Sequence, residues 1–205
     1  NFDQDANYTF TEADYRPEVV GWARDLFGDR VAPNGKLASE NFTRWFGDSA
    51  VVDPEGKPLV VYHGSVETGL KRFDPRSAVE VEGGFFFSSN PDVAEGYRYE
   101  RAYGDIIGEE AGDLVEASLS LKNPKRIKLK PGQVIVDAVQ MGREIEAAKS
   151  EGHDGIIVES IDDTVEGSGD IGDTYVAFDP NQIKSTNNKG NFSADENILE
   201  SSEGD

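Results

Sequence analysis

The chain has 205 residues, 37% hydrophobic and 10% aromatic, enough for one domain-sized core but lean for a chain packed from end to end. Lys and Arg number 20 against 40 Asp and Glu, and the resulting formal charge of -20 repels phosphates and argues against direct nucleic-acid binding. Cysteine is absent, which excludes a disulfide framework, a thiolate nucleophile and a cysteine metal site, and no apolar run approaches the roughly 20 residues of a membrane span.

Residues 1–15 are polar and weakly patterned. From Pro17, the positions Val19, Val20, Trp22, Ala23, Leu26 and Phe27 recur at helical spacing, with Pro17 suited to a first turn and Gly28 to a stop. Residues 29–40 read as a loop, and "ENFTRWFGDS" as a short helix presenting Phe42, Trp45 and Phe46. "AVVDPEGKPLVVYHG" has hairpin grammar: Val51-Val52, a turn over residues 53–57, and a returning strand from Leu59 to Tyr62. "GGFFFSSNPDVAEGY" predicts a glycine bend, a strand over 85–88, and a helix from Pro91 capped by Asn90. "DLVEASLSLKNP" and "RIKLKPG" alternate as half-buried strands do. "QVIVDAVQMGREIEAAKSEG" predicts a helix with Asp137 as its cap and Gly152 as its stop, followed by the strand "HDGIIVES". Residues 161–173 read as an acidic loop and "TYVAFDPNQIKS" as the last strand. The ending "GNFSADENILESSEGD" reads as a disordered acidic tail.

The organisation predicted is an N-terminal helical extension over 1–38, a compact α+β domain over 39–190, and a tail over 191–205. The acidity fits a soluble surface, halophily or a basic protein partner. No signal peptide is visible, and a start at Asn1-Phe2-Asp3 fits processing, trimming or excision from a longer polypeptide.

His63, one of 2 histidines, ends an apolar strand in front of Gly64. There it can present a ring nitrogen to a cleft, while Gly64 lets a ligand approach the backbone closely. "GGFFF" and Tyr97 would supply flat stacking surfaces nearby. The plainer alternative has His63 closing a strand on a loop carbonyl and the phenylalanines as core.

The order of the pieces resembles the ADP-ribosyltransferase superfamily, on the histidine–tyrosine–glutamate branch that includes the poly(ADP-ribose) polymerases and diphtheria toxin. More narrowly, "FTRWFGDSAVVDPEGKPLVVYHGS", "FDP", "GGFFFSSNPDVAEGY", "LSLKNP" and "YVAFDPNQIKS" are similar to the domains of this type in phage and mobile-element polyvalent proteins, over about residues 40–190. The resemblance implies two packed antiparallel β-sheets around a cleft for NAD, the substrate. It places His63 at the histidine that bonds a ribose hydroxyl, and Gly64, with Ser65 beside it, at the backbone that holds the nicotinamide carboxamide. Phe86 falls at the stacking tyrosine and Tyr97 at the second aromatic, while Ala94 stands where a carboxamide-binding serine is common.

The family glutamate aligns with Thr174, which carries no charge. Asp173 precedes it, and a shift of one residue turns a side chain to the opposite face, so Asp173 could take the glutamate's place only through a bulge in that strand. Glu166 and Asp170 are further candidate acids. A carboxylate matters because cleavage of the nicotinamide–ribose bond develops positive charge on the sugar, as in glycosidases. A preorganised group of this kind is worth about 2.7–4 kcal/mol. Without it, elongation to poly(ADP-ribose) is disfavoured.

The resemblance implies a mono-ADP-ribosyltransferase that modifies a protein in a bacterial host, acting as a monomer in the cytoplasm without nucleic acid, membrane or metal. A degenerate binding module and an NAD glycohydrolase are the alternatives. The basic stretch "KNPKRIKLK" reads as a solvated strand face, with an anion site as the alternative, and His153 as corner packing. With the two histidines far apart and no cysteine, no zinc site is expected.

Overall fold

A computed structural model describes residues 10–74, 83–99, 101–102, 105–106, 111–129, 138–162, 171–193 and 196–199. Helix α1, Pro17–Phe27, starts on Pro17 and stops at Gly28, whose N–H donates to Arg24 O at 2.8 Å. Its Val19, Val20, Ala23 and Phe27 are buried. Helix α2, Ala38–Phe46, begins three residues earlier than the sequence suggests. Val31 and Leu37 form a bridge just before it, so the intervening loop is short and fastened. Phe42 is 1% exposed and meets the rings of Trp22, Phe27, Trp45, Phe46 and Phe192. Burying such a ring stabilises the fold by about 1.5–3 kcal/mol. Thus α1, placed by the sequence in an N-terminal extension, shares its core with α2 and with Phe192 near the other end of the chain.

The predicted hairpin is present as a bridge between Val52 and Pro58, with Asp53 N–H donating to Lys57 O at 2.9 Å. Strands β1 (Val61–Gly64), β2 (Phe85–Ser88), β5 (Leu114–Leu119), β6 (Lys125–Lys128), β7 (Gly155–Asp162), β8 (Ile171–Ala177) and β9 (Ile183–Ser185) form a 7-stranded sheet in the order β6-β7-β8-β2-β1-β5-β9. The short strands β3 (Arg101–Ala102) and β4 (Asp105–Ile106) pair separately. Helix α3 is Pro91–Glu95 and α4 is Ala138–Ser150. Asp137, the expected cap of α4, lies outside the described residues.

The fold is α+β, with two departures from the expected sheets. The β6–β7 pair is parallel, because α4 lies between those strands and carries the chain back across the sheet. The two expected sheets are wings of one strand order, joined where β1 meets β2 through the single pair Tyr62↔Ser88. Both wings feed one core: Val61, Val115 and Leu119 from one, Phe85, Phe87 and Tyr175 from the other. A second core forms where α4 (Met141, Ile145, Ala148) covers Ile156, Val158 and Val176.

The segment "TYVAFDPNQIKS" differs from the sequence reading, which makes it one strand. β8 ends at Ala177, and a 3-10 turn over Pro180–Gln182 takes the chain to the far edge, where β9 pairs with β5. Asp179 and Gln182 force the break by capping that turn reciprocally. The expected disordered tail also differs in its described part. Phe192 is 6% exposed and Ile198 1%, and Ile198 N–H donates to Lys71 O at 2.9 Å. Isolated apolar residues in a polar stretch show no periodicity, so their burial leaves no pattern in the sequence.

Candidate functional site

His63 lies where the two wings part. Strand alternation puts it on the face of Val61, and its ring packs edge-on to Phe73 at 4.9 Å and against Phe87 at 5.4 Å. Nδ1 is 2.7 Å from Phe86 O. A carbonyl can only accept, so Nδ1 carries the hydrogen and Nε2 keeps its lone pair. Burial holds the pKa of His63 below its ordinary 6.5, against the opposing pull of the Phe86 carbonyl. The group is therefore a neutral imidazole at pH 7, with Nε2 able to accept from a hydroxyl.

The backbone of Gly64 faces the parting. Ser65 N–H donates to Asp113 O at 2.9 Å, continuing the β1–β5 register in which His63 pairs with Val115 and Gly64 with Leu114. Alternate residues of an antiparallel ladder direct their amides to opposite sides, so the N–H and C=O of Gly64 turn toward β2. The β1–β2 ladder stops at Tyr62↔Ser88, and the carbonyl that would come opposite Gly64, that of Phe86, is bonded to the His63 ring instead. A donor and an acceptor on one glycine edge form the pattern that a carboxamide complements.

Gly64 also has a packing reason to lack a side chain. A Cβ there would stand 1.9 Å from Ala94 O and 3.0 Å from Tyr97 Cβ. Asn90 makes that close approach possible by capping α3, its side chain accepting from Asp92 N–H at 3.0 Å. Ala94, at 3% exposure, is buried at this contact, whereas Tyr97, in the 3-10 turn Gly96–Arg98, is 42% exposed. Ser65 turns its hydroxyl to its own loop, accepting from Glu67 N–H at 3.1 Å.

Phe86 is half-buried, on the opposite face from Phe85 and Phe87, and packs against the α4 core. Thr174 is 2% exposed, in register with Ser88 on one side and Val158 on the other. Asp173 is half-buried, its N–H donating to Ser89 Oγ at 2.9 Å and its carbonyl accepting from Ser89 N–H at 3.0 Å. The β7–β8 register runs from Val158↔Thr174 to Ile161↔Gly172, so the extra residue lies in β7, opposite Asp173. Strand β8 itself keeps its alternation. Asp173 and Thr174 thus point to opposite faces, and Asp173 shares the side of Tyr175 and Phe87, against which the His63 ring packs. The charge of Asp173 adds to burial in pushing the Tyr175 hydroxyl up to about 12. Glu166 and Asp170 lie outside the described residues.

The basic stretch is consumed internally. Lys125 pairs with Glu144 at 3.3 Å and Glu151 at 3.4 Å, and Glu159 takes both Arg126 at 2.9 Å and Lys128 at 3.6 Å. Lys122 donates to the carbonyls of Trp45 and Phe46 at the end of α2, and desolvation of its ammonium pulls its pKa down to about 8. His153 Nδ1 lies 3.0 Å from Asn123 O, at the corner between α4 and β7. Lys130 is outside the described residues. Among the described residues, no group of three or more His, Cys, Asp or Glu is placed to hold a metal ion, and no helix is long and apolar enough to cross a membrane.

Two features near the site escape sequence reasoning. Phe73 of "FDP", 4% exposed, forms a wall against His63, and nothing local marks it as a neighbour of residue 63. Arg98 joins Glu95 to Gly112, and of these two links only the i, i+3 spacing from Glu95 is a local signal.

An α+β sheet with a neutral, largely buried imidazole and a glycine edge where its wings part is the arrangement that the resemblance to ADP-ribosyltransferases led us to expect. Within that class, the model of the family described as ADP-ribosyltransferase in polyvalent proteins matches residues 53–192, and the chain belongs to this family. No curated protein matches the chain. Membership points to ADP-ribosyltransferase activity, for which domains of this type use NAD as substrate.

Proposed function

We propose that this chain is an NAD-dependent mono-ADP-ribosyltransferase that modifies a protein, as a phage or mobile-element factor acting as a monomer in the cytoplasm of a bacterial host. The observation that carries the reading is the pairing of a neutral His63, with Nε2 as acceptor, and a Gly64 whose N–H and C=O the register turns toward β2, beyond the last pair of the β1–β2 ladder. In this reading Gly64 grips the carboxamide, Nε2 of His63 accepts from a ribose hydroxyl, and Tyr97 covers the pyridine ring, whereas Phe86, expected on its other side, is committed to the α4 core. As the C–N bond breaks, its electron pair neutralises the nicotinamide nitrogen. The acceptor's lone pair then closes on the ribose carbon, and its proton leaves to a nearby base.

Thr174 supplies no charge to that transition state, which favours a single transfer over chain growth. Strand β8 lacks the bulge that would bring Asp173 to the position of Thr174, so Asp173 could serve only from the His63 side of the strand; Asp173→Ala would lower turnover if it serves, and unchanged turnover removes it. The buried Thr174, together with Ala94, supports a second reading, a binding module that keeps the fold without turnover.

Labelled NAD incubated with the protein and a bacterial lysate separates the possibilities. Label on a macromolecule supports the transferase. Free ADP-ribose and nicotinamide alone mark a glycohydrolase, and intact NAD a binding module. His63→Ala is expected to abolish NAD turnover while keeping the thermal transition. A variant as active as the parent would show that the site is misplaced.

A further inference from the structure

We propose that Arg98 is a positioning residue that sets the Tyr97 ring against the His63–Gly64 strand end, and so controls affinity for the nicotinamide half of NAD; the inference rests on the function proposed above. Tyr97 belongs to a 3-10 turn of only three residues, Gly96–Arg98, a geometry that rarely holds its shape unaided. Arg98 fastens that turn on two sides. Its Nη1 donates to both carboxylate oxygens of Glu95, at 2.7 and 2.8 Å, and its Nε donates to Gly112 O at 2.8 Å. The Gly112 N–H returns a bond to Arg98 O, also at 2.8 Å, closing a reciprocal pair.

Gly112 in turn is seated on the segment that leaves the site. A Cβ at Gly112 would lie 2.0 Å from Ser65 O and 2.5 Å from the Val66 carbonyl carbon, so it fits only as glycine. Its neighbour Asp113 completes the lacing: its carbonyl accepts from Ser65 N–H and its N–H donates to Glu67 O, both at 2.9 Å. Its carboxylate accepts from Leu70 N–H, also at 2.9 Å. The path therefore runs from Tyr97 through the Arg98 fork to Gly112, and from there to the residues directly after Gly64. On the other side, Tyr97 Cβ already touches the space above Gly64. Tyr97 lies between these two contacts, and of the two Arg98 supplies the one made through a side chain.

Lysine cannot reproduce this arrangement. Its single ammonium lacks the planar fork that reaches a carboxylate and a carbonyl in different directions at once. The Gly112 N–H to Arg98 O bond is main chain and survives substitution, so the turn persists but loosens.

The test is NAD affinity, measured by titration calorimetry, for the full chain and for Arg98→Ala, Arg98→Lys, Tyr97→Ala and the double variant Arg98→Ala/Tyr97→Ala, with thermal melts as a check on folding. Arg98→Ala is expected to weaken NAD binding about tenfold, the scale of one lost charge-assisted hydrogen bond, with Arg98→Lys recovering only part. KM should rise with kcat changed much less. In the Tyr97→Ala background the Arg98 substitution should cost almost nothing more, since its effect passes through that ring. Equal affinity of Arg98→Ala and wild type overturns the inference, as does an undiminished penalty without Tyr97, which would mean direct contact with NAD. A wild-type chain that binds no NAD overturns the proposed function, and this inference with it. If Arg98→Ala does not fold, Arg98→Lys with wild-type affinity overturns the inference by itself.

Discussion

Replacing Gly64 by alanine tests the contact on which both the fold and the site depend. The new methyl group would arrive 1.9 Å from Ala94 O, where ordinary van der Waals separation is about 3.5 Å, so one side must retreat by about 1.5 Å. The obstructing atom is backbone in α3, whose Val93 and Ala94 are buried, so no flexible side chain can swing aside. Overpacking of this kind costs about 2–3 kcal/mol. In a domain of this size, that lowers Tm by about 5–10 °C. The relief available is to push α3 and Tyr97 away from β1, so NAD affinity should fall as well. Gly21→Ala is the matched control. Gly21 is exposed on α1, where a Cβ meets nothing within 4 Å. There the same substitution should stabilise by about 0.4–1 kcal/mol, by restricting the unfolded chain. Calorimetric melts of both variants, with NAD titrations on the first, decide the matter. If Gly64→Ala melts with the wild type, the approach of α3 to β1 is not as close as described and the account of Gly64 fails.

Two further predictions concern protons. His63 titrates below 6.5 in the folded chain, so the stability it contributes is present in full above 6.5 and is lost as pH falls through its folded pKa. NAD turnover should fall over the same acid window, and an NMR titration of the imidazole with its midpoint at or above 6.5 would refute the buried, neutral assignment. Lys122 titrates at about 8 in the folded chain against 10.5 ordinarily, so between those values the unfolded chain holds the extra proton and stability should rise with pH. Denaturation midpoints for wild type and Lys122→Met, compared between about pH 7 and 10, should diverge in slope; parallel curves would contradict the desolvated ammonium.

Local signals carried most of the architecture. Pro17 and Gly28 bound α1, Asn90 and Pro91 begin α3, and the alternation of "LVEASL" gives β5, because each depends on residues adjacent in sequence. The order of motifs also pointed to the family, since aligned motifs preserve what physical pattern alone leaves open. What stayed hidden was long-range. The parting of the wings depends on how far β1 and β2 remain in register, and Phe73 reaches His63 only after the intervening loop has folded. The glycine before Ser65 was read as an opening for a ligand. Its Cα in fact faces a helix carbonyl, while the register turns its amide edge toward β2, and only three-dimensional register separates those two roles. Likewise, the extra residue near Asp173 lies in β7, a strand far away in sequence, so inspection of β8 alone could not have placed it.

The narrow union of Tyr62 with Ser88 has a mechanical consequence. One rung resists unzipping far less than the extended ladder of β7 and β8, so most of the cohesion across that seam falls to interlocked core side chains. A molecule wedged into the seam and bonded on both banks would rivet the halves together. Its arrival should therefore slow amide exchange well beyond the atoms it touches.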